Sequence, residues 1–321
     1  MLGLIPWILV LIMSLVILIK SSEYFIKAAK KIGHAIGMPA FIIGLTILAI
    51  GTSLPELIAS ILSVLSNSSE IVVGNVIGSN IANIFLVIGI TAIAYKKIKI
   101  KRKIANIDII FFIGSALLFT ATILDGVFAF HESILFIAFI IVYFFCISRN
   151  KNNKRKDDKY KEIKNLARDT DKHDNWETFA ILIINAILIY ISAKYTVESI
   201  IQISDFLVIG KEVIAASVIA IGTSLPELTV SLQAAKRKHF DMMAGNIIGS
   251  NIFNILAVMG IPALFGTLII PQGLILFALP MMLIATVLYL VMIKDRKITN
   301  WEGMVFILFY LLFMLRLFGL I

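Results

Sequence analysis

The sequence predicts an all-α membrane protein of ten transmembrane helices, arranged as two inverted five-helix repeats. Three observations carry that prediction. First, 60% of the 321 residues are hydrophobic and only 15% are charged. So little polar surface cannot clothe a chain of this length in water, and the bilayer must act as solvent. Second, apolar runs of about 18 residues or more, enough to cross a hydrocarbon core, recur along the whole chain. Third, the string GTSLPE occurs at Gly51–Glu56 and again at Gly222–Glu227, 171 residues later.

In chain order the apolar runs fall near 2–19, 39–64, 71–95, 107–125, 131–148, 177–199, 213–235, 243–268, 273–293 and 302–320. The first, MLGLIPWILVLIMSL, lacks a basic leading segment and reads as a retained span rather than a signal peptide. The second and seventh are interrupted by GTSLPE. The third and eighth carry GNVIGSNIANI (Gly74–Ile84) and GNIIGSNIFNI (Gly245–Ile255), again 171 residues apart. The two motif pairs therefore share one register, the mark of a duplication. The domain reading that follows is a first five-helix repeat over 1–148, a charged linker over 149–175 and a second repeat over 176–321. Five is odd, so the second copy enters the membrane upside down. That is the inverted-repeat plan of secondary transporters, whose sites lie at mid-membrane on interrupted helices.

The net charge of +9 is a topology signal rather than a footprint for nucleic acid. Lysine and arginine cluster in alternate connections: Lys20 to Lys31, Lys96 to Lys103, the linker, Lys236 to Lys238, and Lys294 to Lys297. The intervening connections Asn67–Glu70, Asp125–Glu132 and Thr267–Gly273 carry none, and the one after the sixth span has only Lys211. By the positive-inside rule both termini lie outside and the linker lies in the cytoplasm. The linker is a solvated charge run, too short for a domain of its own. The single Cys146 excludes an internal disulfide, and His34, His131, His173 and His239 make no metal-ligand spacing. Lys194 and Glu198 read as an i,i+4 pair near a helix end, and Asp108, Asp125 and Glu132 as interfacial.

The chemistry concentrates at the repeated motifs. Pro55 and Pro226 have no N–H, so each should break its helix and deprive the carbonyls of Gly51 and Gly222 of donors. Neighbouring carbonyls, from Ala49 to Thr52 and from Ala220 to Thr223, loosen with them. Such groups are tolerated at membrane depth only where they line a hydrated cavity or find new partners. Thr52 and Ser53 stand on the same helical face as Glu56; Thr223, Ser224 and Glu227 repeat the arrangement. In the following span Asn75, Ser79 and Asn83 form one polar stripe at i, i+4 and i+8, mirrored by Asn246, Ser250 and Asn254. The pairs Gly74/Gly78 and Gly245/Gly249 allow close helix approach, which would press each stripe against its own motif. Every ligand on offer is an oxygen, a set that suits hard cations such as Na+ and Ca2+ and not zinc or copper.

GTSLPE and GN-xx-GSN in two inverted copies resemble the two alpha repeats of the sodium/calcium exchanger family, within the cation/calcium exchanger superfamily. The resemblance covers essentially the whole chain. It implies an integral protein of a prokaryotic cell membrane that exchanges Na+ for Ca2+, at three sodium ions per calcium. Carried over by motif position, Glu56 and Glu227 are the main calcium ligands, joined by the carbonyls of Thr52 and Thr223. Ala49 and Ala220 offer carbonyls to flanking sodium sites. Ser53, Ser79, Ser224 and Ser250 supply sodium-binding hydroxyls, and Asn83 and Asn254 face the middle of the cluster. The potassium-dependent branch has aspartate where this chain has Asn254, which argues against potassium cotransport. The transported ions and the lipid bilayer are the partners; no cofactor, enzymatic activity, nucleic acid or obligatory protein partner is implied. The alternatives are an H+/Ca2+ antiporter, since carboxylates can trade calcium for protons, and, further off, a cation channel.

Overall fold

A computed structural model describes residues 4–35, 49–95, 97–99, 106–150, 175–236, 238, 240–295 and 297–321. The protein is mostly helical. α1 is Leu4–Ala35, α2 the single turn Ala49–Thr52 and α3 Leu54–Leu65. α4, Glu70–Ile81, continues through a π-helical turn at Ala82–Ile88 into α5, Gly89–Tyr95. α6 is Asn106–Ile123, α7 Phe130–Asn150 and α8 Asn175–Leu207. α9, Lys211–Ile214, passes through a π turn at Ala215–Ile219 into α10, Ala220–Thr223; α11 is Leu225–Lys236. α12, Phe240–Phe253, runs into a π turn at Asn254–Val258, α13 is Leu279–Asp295 and α14 Asn300–Leu317.

Seven helices among the described residues are long and apolar enough to cross a membrane by length and composition, and Leu54–Leu65, Asp108–Ile123 and Phe130–Cys146 are shorter apolar helices. Their outer faces are apolar: Ile183, Ile187, Val305, Leu308 and Ile141 are all exposed. An apolar exterior of this kind has lipid as its solvent.

Several boundaries differ from the sequence reading. α1 and α8 run 32 and 33 residues, well past the predicted 2–19 and 177–199. They pack along one another, with Thr196 Oγ1 donating to Ser14 Oγ at 2.9 Å inside the apolar seam. Near the end of the apolar part of α1, Leu4–Phe25, stands an i,i+3 pair, Lys20 Nζ to Glu23 Oε2 at 3.3 Å. The predicted span 243–268 is too long. It leaves the helix by Pro262–Leu264, a 3-10 turn started by Pro262, and reaches an extended segment at Leu268–Ile269. Lys194 and Glu198 are exposed, and neither belongs to an ion pair among the described residues. Asp108 accepts from Tyr143 Oη at 3.4 Å, and Glu132 accepts the Ala129 N–H at 2.6 Å, closing the start of α7. The opening of the second predicted span, 39–48, and most of the linker, 151–174, lie outside the described residues.

Two short ladders depart from an all-α reading. β1, Lys97–Lys99, pairs antiparallel with β4, Lys297–Thr299, and β2, Val127–Phe128, with β3, Leu268–Ile269. Each joins one half of the chain to the other. Connections between apolar helices carry backbone polar groups that must be satisfied, and pairing two of them does so.

The core places α4 at its centre. Ile71 to Ile81 and the residues through Phe85 are buried, so this helix is enclosed on all sides. Its glycines face the second half of the chain. A Cβ on Gly78 would lie 2.4 Å from the Ala216 carbonyl oxygen and 2.6 Å from its Cα; one on Gly74 would lie 2.4 Å from the Glu212 carbonyl oxygen. Backbone meets backbone there. The expectation that Gly74 and Gly78 press the stripe against its own motif is corrected accordingly: they seat α4 on the segment that leads into the other motif. Gly245, by contrast, has open space where a Cβ would stand, with nothing within 4 Å among the described residues. Gly78→Ala should therefore lower the thermal midpoint of the detergent-purified protein, by overpacking worth about 1–3 kcal/mol. Gly273→Ala, where a Cβ meets nothing within 4 Å, should leave the midpoint unchanged in the same fluorescence-detected melt.

Candidate functional site

Each GTSLPE folds into the same break. In the first copy the α2 turn ends at Thr52, Ser53 adopts φ −94°, ψ 12°, and α3 starts at Leu54 with Pro55 in its first turn. In the second, α10 ends at Thr223, Ser224 adopts φ −82°, ψ 0°, and α11 starts at Leu225. Proline is at home in a first turn, where its missing N–H has no helical partner to lose. The chain is not frayed at these points: Ser224 N–H still donates to the Ala220 carbonyl at 3.1 Å, and Ser53 and Ser224 carbonyls accept from Leu57 and Leu228 at 3.2 and 3.0 Å. The Ala220 oxygen thus keeps one lone pair for another partner.

The break puts Glu56 and Glu227 in the first turns of α3 and α11. Free N–H groups and the positive end of the helix dipole favour a carboxylate at that position. Both side chains are 0% exposed. The two salt bridges among the described residues, Lys20–Glu23 and Lys211–Glu70, involve neither of them. Two helix ends contribute roughly one elementary charge together, against two on a pair of ionised carboxylates. The balance calls for a cation.

The side chains around the carboxylates come from both halves. Ser53 Oγ donates to Glu227 Oε1 at 3.4 Å. Thr52 and Ser250 also approach Glu227, while Thr223 approaches Glu56, which lies within electrostatic reach of Glu227. Thr223 itself donates to the Ile219 carbonyl at 3.0 Å. The π turn holding Asn83 packs against α11, and the π turn that begins at Asn254 packs against α3. Such turns insert an extra residue into a helix and are frequent at functional sites. Asn83, Asn254, Ser224, Ser250, both Glu56 oxygens and Glu227 Oε2 are buried with no hydrogen bond formed. Buried polar atoms without partners cost free energy, and so many in one place mark a locus built for something else to bind.

Of the predicted residues, Glu56, Glu227, Thr52, Thr223, Ser53, Ser224, Ser79, Ser250, Asn83, Asn254 and Ala220 are all fully buried. Ala49 opens the α2 turn. Ser53, Thr52, Ser250 and Glu227 are brought together, as are Thr223 and Glu56; Ser79 instead bonds within its own helix, to Asn75. Four polar residues escaped the sequence reading. Ser60 and Ser231 stand four residues after the two glutamates, buried on the same helical face; Asn80 and Asn251, the asparagines of GSN, are buried as well. Asn80 Nδ2 donates to the Val76 carbonyl at 2.7 Å, whereas both polar atoms of Asn251 lack a partner. The 171-residue register was the signal that could have found them, since it relates both pairs.

A family model described as sodium/calcium exchanger protein matches residues 6–148 and 177–319. The sodium/calcium exchanger MaX1 of Methanosarcina acetivorans is 34% identical over 349 residues, covering 97% of this chain and 98% of the relative. The inner membrane protein YrbG of Escherichia coli is 30% identical over 261 residues, covering 79% of this chain and 78% of the relative. Among solved structures, the sodium-calcium exchanger NCX_Mj soaked with 2.5 mM Na+ and 10 mM Sr2+ superposes with a TM-score of 0.64 at 28% identity, covering 97% of this chain and 98% of that one.

Glutamine keeps the shape of glutamate and removes its charge. Glu56→Gln and Glu227→Gln should each remain folded and lose divalent-cation binding by at least about tenfold, the order expected when one partner of a buried charge interaction is lost. Calorimetric titration of the purified variants reads the loss, and near-normal binding by either would remove the carboxylate pair as the centre of the site.

Proposed function

The chain belongs to the sodium/calcium exchanger protein family, and from that premise we propose that it is a secondary active antiporter exchanging Na+ for Ca2+ by alternating access, three sodium ions per calcium. The observation that carries the reading is the buried meeting of Glu56, Glu227 and the hydroxyls of both halves, with no basic side chain against them among the described residues. Ca2+ takes about 6–8 oxygen ligands. The carboxylates of Glu56 and Glu227 and the carbonyls of Thr52 and Thr223 supply the calcium set. Ser53, Ser79, Ser224 and Ser250, with the carbonyls of Ala49 and Ala220, supply sodium sites, and Asn83 and Asn254 close the middle of the cluster.

Two facts support the ten-helix inverted repeat that alternating access requires. The seven long apolar helices and three shorter ones fall on the ten apolar runs of the sequence. The two ladders also exchange under the 171-residue shift: Ile98 opposite Ile298 becomes Ile269 opposite Val127. A pseudo-twofold relating 1–148 to 176–321 makes the same prediction about their connections. Both termini then lie outside and 149–175 in the cytoplasm. In a Cys146→Ala background, a cysteine replacing Ser66 should react with an impermeant maleimide from outside and one replacing Lys238 only from inside. Equal sidedness would remove the inverted repeat and the mechanism with it.

Charge sets the transport logic. With both glutamates ionised the empty site carries two negative charges, and an unloaded crossing of the apolar core is costly. One Ca2+ neutralises it; three Na+ leave one net positive charge. Moving that charge is worth about 2.3 kcal/mol per 100 mV. Radioactive calcium uptake into sodium-loaded proteoliposomes should thus require the outward sodium gradient, quicken at an inside-positive potential and ignore potassium on either side. Calcium/calcium exchange, which moves no net charge, should not respond to voltage. Uptake driven by a proton gradient without sodium would establish proton coupling instead, and sodium-driven uptake indifferent to voltage would mean two sodium ions per calcium.

A further inference from the structure

The polar stripes of the two halves have the same residues and different connections. In the first half Ser79 Oγ donates to Asn75 Oδ1 at 3.4 Å, and Asn75 Nδ2 donates to Ser60 Oγ at 3.4 Å. All three side chains are buried, none more than 1% exposed. In the second half the equivalent residues are Ser250, Asn246 and Ser231, at the 171-residue offset. There Ser231 Oγ and Asn246 Nδ2 have no partner, and the Ser250 side chain approaches the Glu227 carboxylate.

We propose that Asn75 is a positioning residue that turns Ser79 into a sodium acceptor, with Ser60 holding Asn75 in place, and that Asn246 and Ser231 do the same for Ser250. A serine hydroxyl has one proton and two lone pairs. Whichever acceptor takes the proton decides where the lone pairs face. Asn75 Oδ1 takes the proton of Ser79, so the Ser79 oxygen offers its lone pairs away from Asn75 and towards a cation. Asn75 cannot turn its amide without giving up Ser60, which accepts from its Nδ2. Ser250 Oγ, by contrast, makes no hydrogen bond and stands near the Glu227 carboxylate. A cation arriving between that carboxylate and Ser250 needs the serine lone pair, so the hydroxyl proton must go to another acceptor. Asn246 stands four residues before Ser250, on the same helical face, and is the acceptor equivalent to Asn75. The formed relay and the unformed one are therefore a loaded and an unloaded setting of one device, and the two serines differ in readiness for sodium.

This inference rests on the reading of Ser79 as a sodium ligand, and the test separates the two. The measurements are the half-saturating sodium and calcium concentrations for exchange in proteoliposomes. Asn75→Val removes both hydrogen bonds at similar volume and should raise half-saturating sodium roughly three- to tenfold, the worth of one lost hydrogen bond. The half-saturating calcium of calcium/calcium exchange should stay within about twofold, because the carboxylates are untouched. Asn75→Thr, which returns an acceptor oxygen, should recover much of the sodium affinity, and Ser60→Ala should weaken it in the same direction by less. On a Ser79→Ala background, Asn75→Val should add nothing, since the two residues act as a unit. If Ser79→Ala leaves sodium dependence unchanged, the assignment of Ser79 falls. If Ser79→Ala weakens sodium while Asn75→Val and Ser60→Ala do not, the relay falls and the assignment stands. Equal weakening of sodium and calcium, or additivity in the double variant, would make Asn75 a packing residue and overturn the proposal. Should Asn75→Val fail to fold, Ser60→Ala decides by the same criteria.

Discussion

A carboxylate taken out of water must meet positive charge, and in this protein two of them are taken out together. Glu56 and Glu227 are fully buried, within electrostatic reach of one another, and supplied only with helix ends and neutral oxygens among the described residues. Much of the surrounding architecture follows from that constraint. The helices must break so that each glutamate can sit in a first turn, where N–H groups are free. The breaks need proline to start the new helix cleanly, and small polar residues on the preceding turn to face the carboxylates. On the proposed function a cation from solution completes the balance, as suits an ion transporter rather than a permanent salt bridge.

The site is also an interface between the two halves of the chain. Ser53 donates to Glu227 and Thr223 stands near Glu56; the Asn83 turn packs on α11 and the Asn254 turn on α3. The glycines of α4 seat it on the backbone at Glu212 and Ala216, and the two ladders tie the connections of one half to those of the other. Lys211 continues the theme away from the site: its Nζ lies 3.1 Å from Glu70 Oε1 and donates to Ser68 Oγ at 3.2 Å. A relative movement of the halves would thus alter the ligand set directly. On the proposed function, alternating access and ion affinity become two readouts of one interface.

α1 and α8 form a different layer. They pack along each other and reach the broken segments, α1 touching α2 and α10 and α8 touching α3 and α9. Leu15 of α1 stands 3.2 Å from the Cβ position of Gly222, directly beside the second motif. Lipid offers no hydrophobic drive for helices to associate; the seam is made by close packing of Leu11, Leu15 and Leu18 against Ile189, Ala193 and Val197, with the Ser14–Thr196 hydrogen bond inside it.

The sequence by itself was enough for the membrane, the duplication, the two breaks and the identity of the polar residues that crowd them. These are local or statistical properties: proline lacks its N–H wherever it stands, an apolar run needs lipid or a core, and a 171-residue register is legible in the letters. Helix limits were read less well, because α1 and α8 are extended by each other's surfaces and 243–268 is cut short by a turn whose strand partner lies at Val127–Phe128. The tertiary structure alone decided who meets whom. Nothing in the spacing of Gly78 says that it rests on Ala216, or in Ser53 that its hydroxyl faces Glu227, 174 residues away. Nor do identical stripes foretell that Ser79 bonds to Asn75 while Ser250 Oγ and Asn246 Nδ2 are left without a partner. Such pairings depend on how distant segments cross and on which of two equivalent arrangements the whole chain adopts, and no local propensity contains that information.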